Sequence, residues 1–263
     1  MAPLTSTLHS FHNRQQLFMG KELVEHTALV TGATAGIGRA TALALAARGA
    51  DIVVHGRDED RAAETLRRIE ALGGTGRFVP ADLADPVQVS ALAAAAGEVD
   101  ILVNNASVAR PAPTAGTDSA LFEAHVGVNL RAPYLLVQAL APGMTERGRG
   151  AIINISSGAA SLPAVSLGIY GATKAGLESL TRVWAAEYGP AGVRVNAVAV
   201  GPTRTESTAV LGDAFELAGH GVALGRVAEA DEIAGPIAFL ASPAAAYVNG
   251  AVIEVLGGHP PVG

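Results

Sequence analysis

Short apolar runs rich in β-branched residues alternate with Ala- and Leu-rich segments of helical period along nearly the whole chain, which restricts the fold more than any other feature. The runs TALVTG (27–32), DIVVHG (51–56), GRFVPADL (76–83), DILVNNA (100–106), GAIINISS (150–157), VRVNAVAV (193–200) and AVIEVLGG (251–258) read as strands. Helical patterns fall between them, over 37–49, 59–74, 86–97, 118–147, 170–189 and 229–241. Strands with apolar residues on both faces must be covered on both sides, as happens when each is followed by a crossover helix. The expectation is an α/β fold, a doubly wound parallel sheet of about seven strands with right-handed crossovers and helices on both faces.

Length and composition narrow the function. A chain of 263 residues suits one large domain, and no linker, repeat or low-complexity tract divides it. Hydrophobic residues make up 49% and charged residues 16%, and the mean hydropathy of +0.34 is high. No apolar run reaches the ~18 residues of a membrane span, so the apolar content is assigned to buried strands and to helix faces covered by other subunits. With a net charge of −6 and no basic block, nucleic acid is excluded as an expected partner. The absence of cysteine removes disulfides and thiolate metal sites and fits a reducing, cytoplasmic setting. Residues 1–23 lack an apolar signal core and are read as an N-terminal extension to a domain over 24–263. Segment 201–228 is the least regular and follows a strand end, where open α/β sheets bind ligands. It is expected to act as a substrate lid, with Leu211, Phe215, Leu217, Val222 and Leu224 giving it apolar character.

Local chemistry begins at TGATAGIG, where Gly32, Gly36 and Gly38 lie between a strand and a helix. Glycines there let backbone N–H groups approach a pyrophosphate at the helix N-terminus. The spacing is G-x-x-x-G-x-G rather than the general dinucleotide fingerprint, and such a cluster is a weak signal by itself. The second strand adds to it. An acidic residue about twenty positions past the loop normally holds the ribose hydroxyls of NAD, but that position is Gly56, followed by Arg57. A guanidinium grips a 2′-phosphate that a carboxylate would repel, so Arg57 points to NADP(H), with NAD(H) the alternative should Asp58 serve the ribose.

Farther on, YGATK places Tyr170 and Lys174 four residues apart, on one face of a helix. With ADL (81–83), NNA (104–106), VNL (128–130), INISS (153–157) and VRVNAVAVGPTRT (193–205), the chain resembles the short-chain dehydrogenase/reductase family in its compact single-domain, Rossmann-type branch. The resemblance runs from about residue 24 to 258. It implies an NADP(H)-dependent oxidoreductase that interconverts a carbonyl and an alcohol by hydride transfer, on a small-molecule ketone or 3-oxoacyl substrate.

The resemblance also implies roles. Tyr170 is the general acid/base, and Lys174 binds the nicotinamide ribose and lowers the phenol's pKa by its charge. Ser157 stabilises charge on the substrate oxygen, with Ser156 the competing choice. Asn129 supports a proton-relaying water, a role compatible with a buried asparagine that satisfies a kink in its helix. Gly32, Thr34, Ala35, Gly36, Ile37 and Gly38 form the phosphate loop, Asp82 and Leu83 flank the adenine, Asn104 and Ala106 support the cofactor, and Thr203 and Thr205 approach its nicotinamide half. Two positions depart from the family pattern: Ser107 where a glycine is usual, and Val200 where a proline is usual. The scattered histidines show no ligand-type spacing, so no metal is expected. The helices over 118–147 and 170–189 resemble those forming family subunit contacts, which implies a homotetramer, with a dimer as the alternative. A non-catalytic nucleotide sensor or scaffold on the same fold is the competing reading.

Overall fold

In a computed structural model, the structure describes residues 21–209 and 212–258. The expected N-terminal extension lies outside the described residues save for its last three positions, and Leu211 lies outside them too. The main sheet contains strands β1 (Thr27–Val30), β2 (Asp51–Gly56), β3 (Gly76–Pro80), β4 (Ile101–Asn104), β5 (Gly150–Ser157), β6 (Val193–Val200) and, last in the chain, β9 (Val252–Val255). Their order is β3-β2-β1-β4-β5-β6-β9, and every pairing is parallel. The chain winds outward from β1 to β3, then returns to place β4 on the other side of β1. That reversal opens a crevice at the carboxyl ends of β1 and β4.

The helices are α1 (Gly36–Ala47), α2 (Glu59–Ala71), α3 (Pro86–Ala96), α4 (Ser119–Val126), α5 (Ala132–Glu146), α6 (Gly168–Tyr188), α7 (Asp213–His220) and α8 (Ala230–Ala241). Several begin where short acidic side chains can accept the orphan amides of a first turn. Asp58 accepts from Arg61 N at 3.0 Å, Asp85 from Val87 N at 2.9 Å and Asp118 from Leu121 N at 2.7 Å.

Strand alternation divides the core in two. Val30, Ile52, Val54, Val103 and Ile153 pack in one cluster with Leu45 of α1 and Ile233, Ile237 and Leu240 of α8. Leu29, Val53, Leu102, Ile152 and Val195 pack in the other with Leu92 of α3, Leu136 and Leu140 of α5, and Leu177 and Trp184 of α6. Two-sided burial explains why the strands read as unbroken apolar runs.

Two features differ from the sequence reading. The helix expected over 118–147 is interrupted by a π-helical turn at Gly127–Arg131, between α4 and α5. The extra residue of that turn lets Asn129 point into the protein, where it is only 1% exposed. The lid is also more ordered than expected. It contains α7 and a two-residue parallel pairing of β7 (Thr203–Arg204) with β8 (Ala228–Glu229), which ties its start to its end. Among the described residues no helix is long and apolar enough to cross a membrane.

Candidate active site

A cavity of about 480 Å³ lies above the carboxyl ends of the strands. The loops leaving β1 to β4 and β6 and the end of β5 supply most of its wall, with Tyr170 and Lys174 added from α6.

The β1–α1 loop forms one end. The Thr31 hydroxyl donates to Val103 O at 3.1 Å and accepts from the amides of Asn105 (2.9 Å) and Ala106 (3.0 Å), locking this loop to the end of β4. A Cβ on Gly38 would lie 2.2 Å from Gly32 O and 2.5 Å from Asn105 Nδ2, so only glycine permits this packing of helix on strand. The amides of the first turn of α1 have no partner in the helix's own ladder. Gly36 N donates to Glu206 Oε2 at 2.8 Å, and Arg39 Nη1 to Glu206 Oε1 at 2.7 Å, which clasps the lid to the phosphate loop. Gly32, Thr34, Ala35, Gly36, Ile37 and Gly38 all line the cavity.

At the end of β2, a Cβ on Gly56 would lie 2.4 Å from Thr34 Cγ2. The position where other dinucleotide folds carry a carboxylate could therefore take one only if the Thr34 side chain moved aside. Arg57 lines the cavity, is exposed and forms none of the ion pairs found among the described residues. Asp58 is committed instead to capping α2 and to an ion pair with Arg61 at 3.3 Å. Between β1 and β3, the buried His55 accepts from Gly32 N through Nδ1 at 3.1 Å and donates from Nε2 to Ala81 O at 3.1 Å. Burial holds its imidazole well down, at about 4, so it is a neutral strut between the phosphate loop and the β3 loop. Asp82 and Leu83 line the same region, with one Asp82 carboxylate oxygen accepting from Ala84 N at 3.0 Å.

The other end of the cavity holds the YGATK residues. Tyr170 and Lys174 both face it from α6, with Lys174 Nζ 5.7 Å from the Tyr170 ring centre. Lys174 Nζ donates to Ile155 O at 2.7 Å. Its side chain is buried, which lowers its pKa to about 8. The expectation that this ammonium lowers the Tyr170 pKa is not met. Burial pushes the phenol up, and the opposing pulls come from the hydroxyls of Ser157 and Ser107. The ammonium is directed at a strand carbonyl, and the phenol's desolvation outweighs its favourable contacts.

Burial also separates the two serines. Ser156 Oγ donates to Glu178 Oε1 at 2.5 Å and is fully buried. Ser157 Oγ accepts from Ala159 N at 3.2 Å, and its hydroxyl pulls the Tyr170 pKa down against the effect of burial.

Three expected site residues are absent from the cavity lining, Ser157 among them, although its neighbour Ser156 is part of that lining. Asn104 does not line the cavity; it is buried in the sheet and donates to Asn154 Oδ1 at 2.8 Å. Asn105 takes the cavity position and braces the phosphate loop by donating to Thr31 O at 2.8 Å. Asn129 lies behind the cavity wall with its amide committed to the 107–108 loop and Thr173. Its side chain satisfies the kinked segment, as one of the two compatible readings of Asn129 expects. Ala106, Thr203 and Thr205 line the cavity as expected. Of the apolar lid residues, Phe215 lines it, whereas Leu217 and Leu224 are 65% and 67% exposed. The sequence reading missed His55, Arg39, Asn105 and Glu206. Only Arg39 carried a local signal, since it directly follows the last loop glycine.

Residues 32–259 match the family profile described as Enoyl-(Acyl carrier protein) reductase. The chain belongs to the short-chain dehydrogenase/reductase family. It is 43% identical to an L-rhamnose 1-dehydrogenase (NAD(P)(+)) of Azotobacter vinelandii, over 90% of this chain and 97% of that one. It is 38% identical to a D-threitol dehydrogenase of Mycolicibacterium smegmatis, over 88% of this chain and 92% of that one. Among solved structures, a 3-oxoacyl (acyl-carrier-protein) reductase from Agrobacterium tumefaciens with NADP bound superposes with a TM-score of 0.90 at 30% identity, covering 95% of this chain and all of that one (100%). These family members make the chain an oxidoreductase of the NAD(P)-dependent kind.

The residues present fit a dinucleotide. The cavity joins a glycine-built anion site at α1, an unpaired guanidinium at the end of β2 and a Tyr–Lys pair in one continuous crevice.

Proposed function

We propose that the protein is an NADP(H)-dependent oxidoreductase that interconverts a small-molecule carbonyl and the corresponding alcohol, with Tyr170 as the proton-transfer residue. The observation that carries the reading is the juxtaposition of Tyr170 and Lys174 with the phosphate loop in one cavity. The first-turn amides of α1, the Gly32–Gly38 loop and Asp82 would hold the dinucleotide, and Arg57 its 2′-phosphate. When bound, the nicotinamide supplies or takes the hydride.

The chain's own residues manage the proton. In reduction, the Tyr170 O–H donates to the carbonyl oxygen as negative charge builds on it, and the Ser157 hydroxyl donates a second hydrogen bond to that oxygen. Lys174 spends one proton on Ile155 O and turns the others toward the cavity, as donors for ribose hydroxyls. A phenol raised by burial is kept protonated at neutral pH, which suits carbonyl reduction. Alcohol oxidation needs the phenolate and is expected to accelerate as pH rises. A homotetramer in a reducing cytoplasm completes the reading, by analogy with the family's helix contacts and from the absence of cysteine.

The test is absorbance at 340 nm with both cofactors and a panel spanning 3-oxoacyl thioesters, cyclic ketones, polyols and sugars. Turnover with NADP(H) preferred supports the proposal. Tight cofactor binding without turnover on any substrate would favour the sensor reading.

A further inference from the structure

Resting on that reading of Tyr170, we propose that Ser107 is a positioning residue that acts as a second hydroxyl partner of the Tyr170 phenol, held in place by Asn129.

The chain leaves β4 pinned by Thr31, and the next two residues are gripped by one side chain. Asn129 Oδ1 accepts from Val108 N at 2.8 Å and from Ser107 Oγ at 3.2 Å. Its Nδ2 donates to Val108 O at 2.8 Å and to Thr173 Oγ1 at 3.2 Å. The Thr173 hydroxyl in turn donates to Tyr170 O at 2.7 Å. The π turn at Gly127–Arg131 thus anchors the Ser107 loop directly to the helical turn that carries Tyr170. Ser107 and Tyr170 line the same cavity, and the Ser107 hydroxyl is one of the groups that pull the phenol's pKa down against its burial.

The double donation to Asn129 Oδ1 explains how Ser107 can serve both forms of the phenol. While Tyr170 is protonated, the Ser107 proton points at Asn129 and its lone pairs can accept from the phenol. When Tyr170 has given up its proton, Ser107 rotates its own hydrogen to the phenolate, and Val108 N–H still satisfies Asn129. No buried acceptor is orphaned in either state. Ser107 keeps its proton throughout, so nothing is transferred beyond Tyr170. A glycine at 107 would leave Ser157 as the sole hydroxyl at the phenol.

The other groups facing Tyr170 do not duplicate this role. Lys174 is directed at Ile155 O. His125 stands edge-on to the ring at 6.5 Å. It donates from Nδ1 to Leu121 O at 2.8 Å and accepts at Nε2 from Arg110 N at 3.3 Å, so both nitrogens are used. Glu178 is bound by Ser156 behind the strand. Arg57, Asp82 and Glu206 line the cofactor part of the cavity.

The test uses the full chain with Ser107→Gly, Ser107→Ala and Ser107→Thr. Phenolate absorbance near 295 nm is titrated, and Tyr170 is isolated from the four tyrosines by subtracting the Tyr170→Phe trace. The Gly and Ala variants should titrate higher than wild type by roughly one pH unit, about a tenfold smaller phenolate fraction at a given pH, and the Thr variant should stay near wild type. Coincident midpoints would overturn the proposal. If unfolding precedes the Tyr170 transition, kcat for oxidation of the most active panel alcohol between pH 6 and 9 decides. A drop of about tenfold in Gly and Ala with rescue by Thr and unchanged NADPH affinity supports the role, and equal rates overturn it. Failure here leaves Tyr170 intact as the acid; an active Tyr170→Phe would instead sink the proposed function.

Discussion

Replacing Arg57 with alanine isolates the cofactor choice, because the local geometry removes the competing explanations. Position 56 is a glycine packed against the Thr34 side chain and offers no carboxylate, and Asp58 is occupied at the cap of α2. Arg57 is left as the unpaired charge at the end of β2. Charge-assisted hydrogen bonds contribute about 1.5–3 kcal/mol, and an exposed guanidinium sits at or below the lower part of that range because solvent and salt screen it. A loss of about 1–2 kcal/mol corresponds to roughly five- to thirtyfold. Arg57→Ala should therefore lower kcat/KM for NADPH by about five- to thirtyfold and leave NADH within about twofold, with a smaller effect at higher ionic strength. The assay is initial rate at 340 nm with one carbonyl substrate and both cofactors, at two salt concentrations. An unchanged NADPH-to-NADH ratio would refute the assignment, and a parallel fall for both cofactors would show that Arg57 serves the loop rather than the phosphate.

Other expectations follow from the same contacts. Ser157→Ala should reduce kcat by about a hundredfold or more, whereas Ser156→Ala should keep most activity and lower Tm, because its hydroxyl serves Glu178; the reverse pattern would exchange their roles. Lys174 has a folded-state pKa lowered from 10.5 to about 8. The unfolded chain thus holds the extra proton between those values, and the penalty on the fold is complete below about 8 and fades as pH rises toward 10.5. Lys174→Met should therefore be more stable relative to wild type at pH 7 than at pH 10 by chemical denaturation, while losing activity. The lost bond to Ile155 is common to both pH values, and an equal difference at the two would contradict the burial argument. His55, lowered from 6.5 to about 4, contributes stability that is whole above pH 6.5 and lost as pH falls toward 4. His55→Asn should flatten the acid side of the stability profile, and an unaltered profile would argue against the strut.

Much of this arrangement was legible in the sequence because it depends on local spacing. Strand runs apolar on both faces required a sheet covered on both sides. Three glycines between strand and helix marked the anion site, and an i, i+4 Tyr–Lys pair at a helix start placed both groups in the crevice. What was not legible depends on contacts far apart in the chain. The π turn at Gly127–Arg131 is stabilised by the loop that Asn129 grips, about twenty residues upstream. Asn104 and Asn105 are neighbours of identical type, and only the pleat decides that one faces the sheet interior and the other the cavity. Glu206 reaches Gly36 and Arg39 across the fold, and no local pattern announces it. The direction of the Tyr170 shift was misjudged because spacing conveys the nearby charge but not the desolvation that outweighs it.

The central claim is that the Tyr170 hydroxyl moves the proton that accompanies hydride transfer, and Tyr170→Phe tests it most directly. Single-turnover reduction with prebound NADPH should fall by at least about a thousandfold, with NADPH affinity within a few-fold of wild type. Turnover near the wild-type rate, with the cofactor bound equally well, would contradict the account.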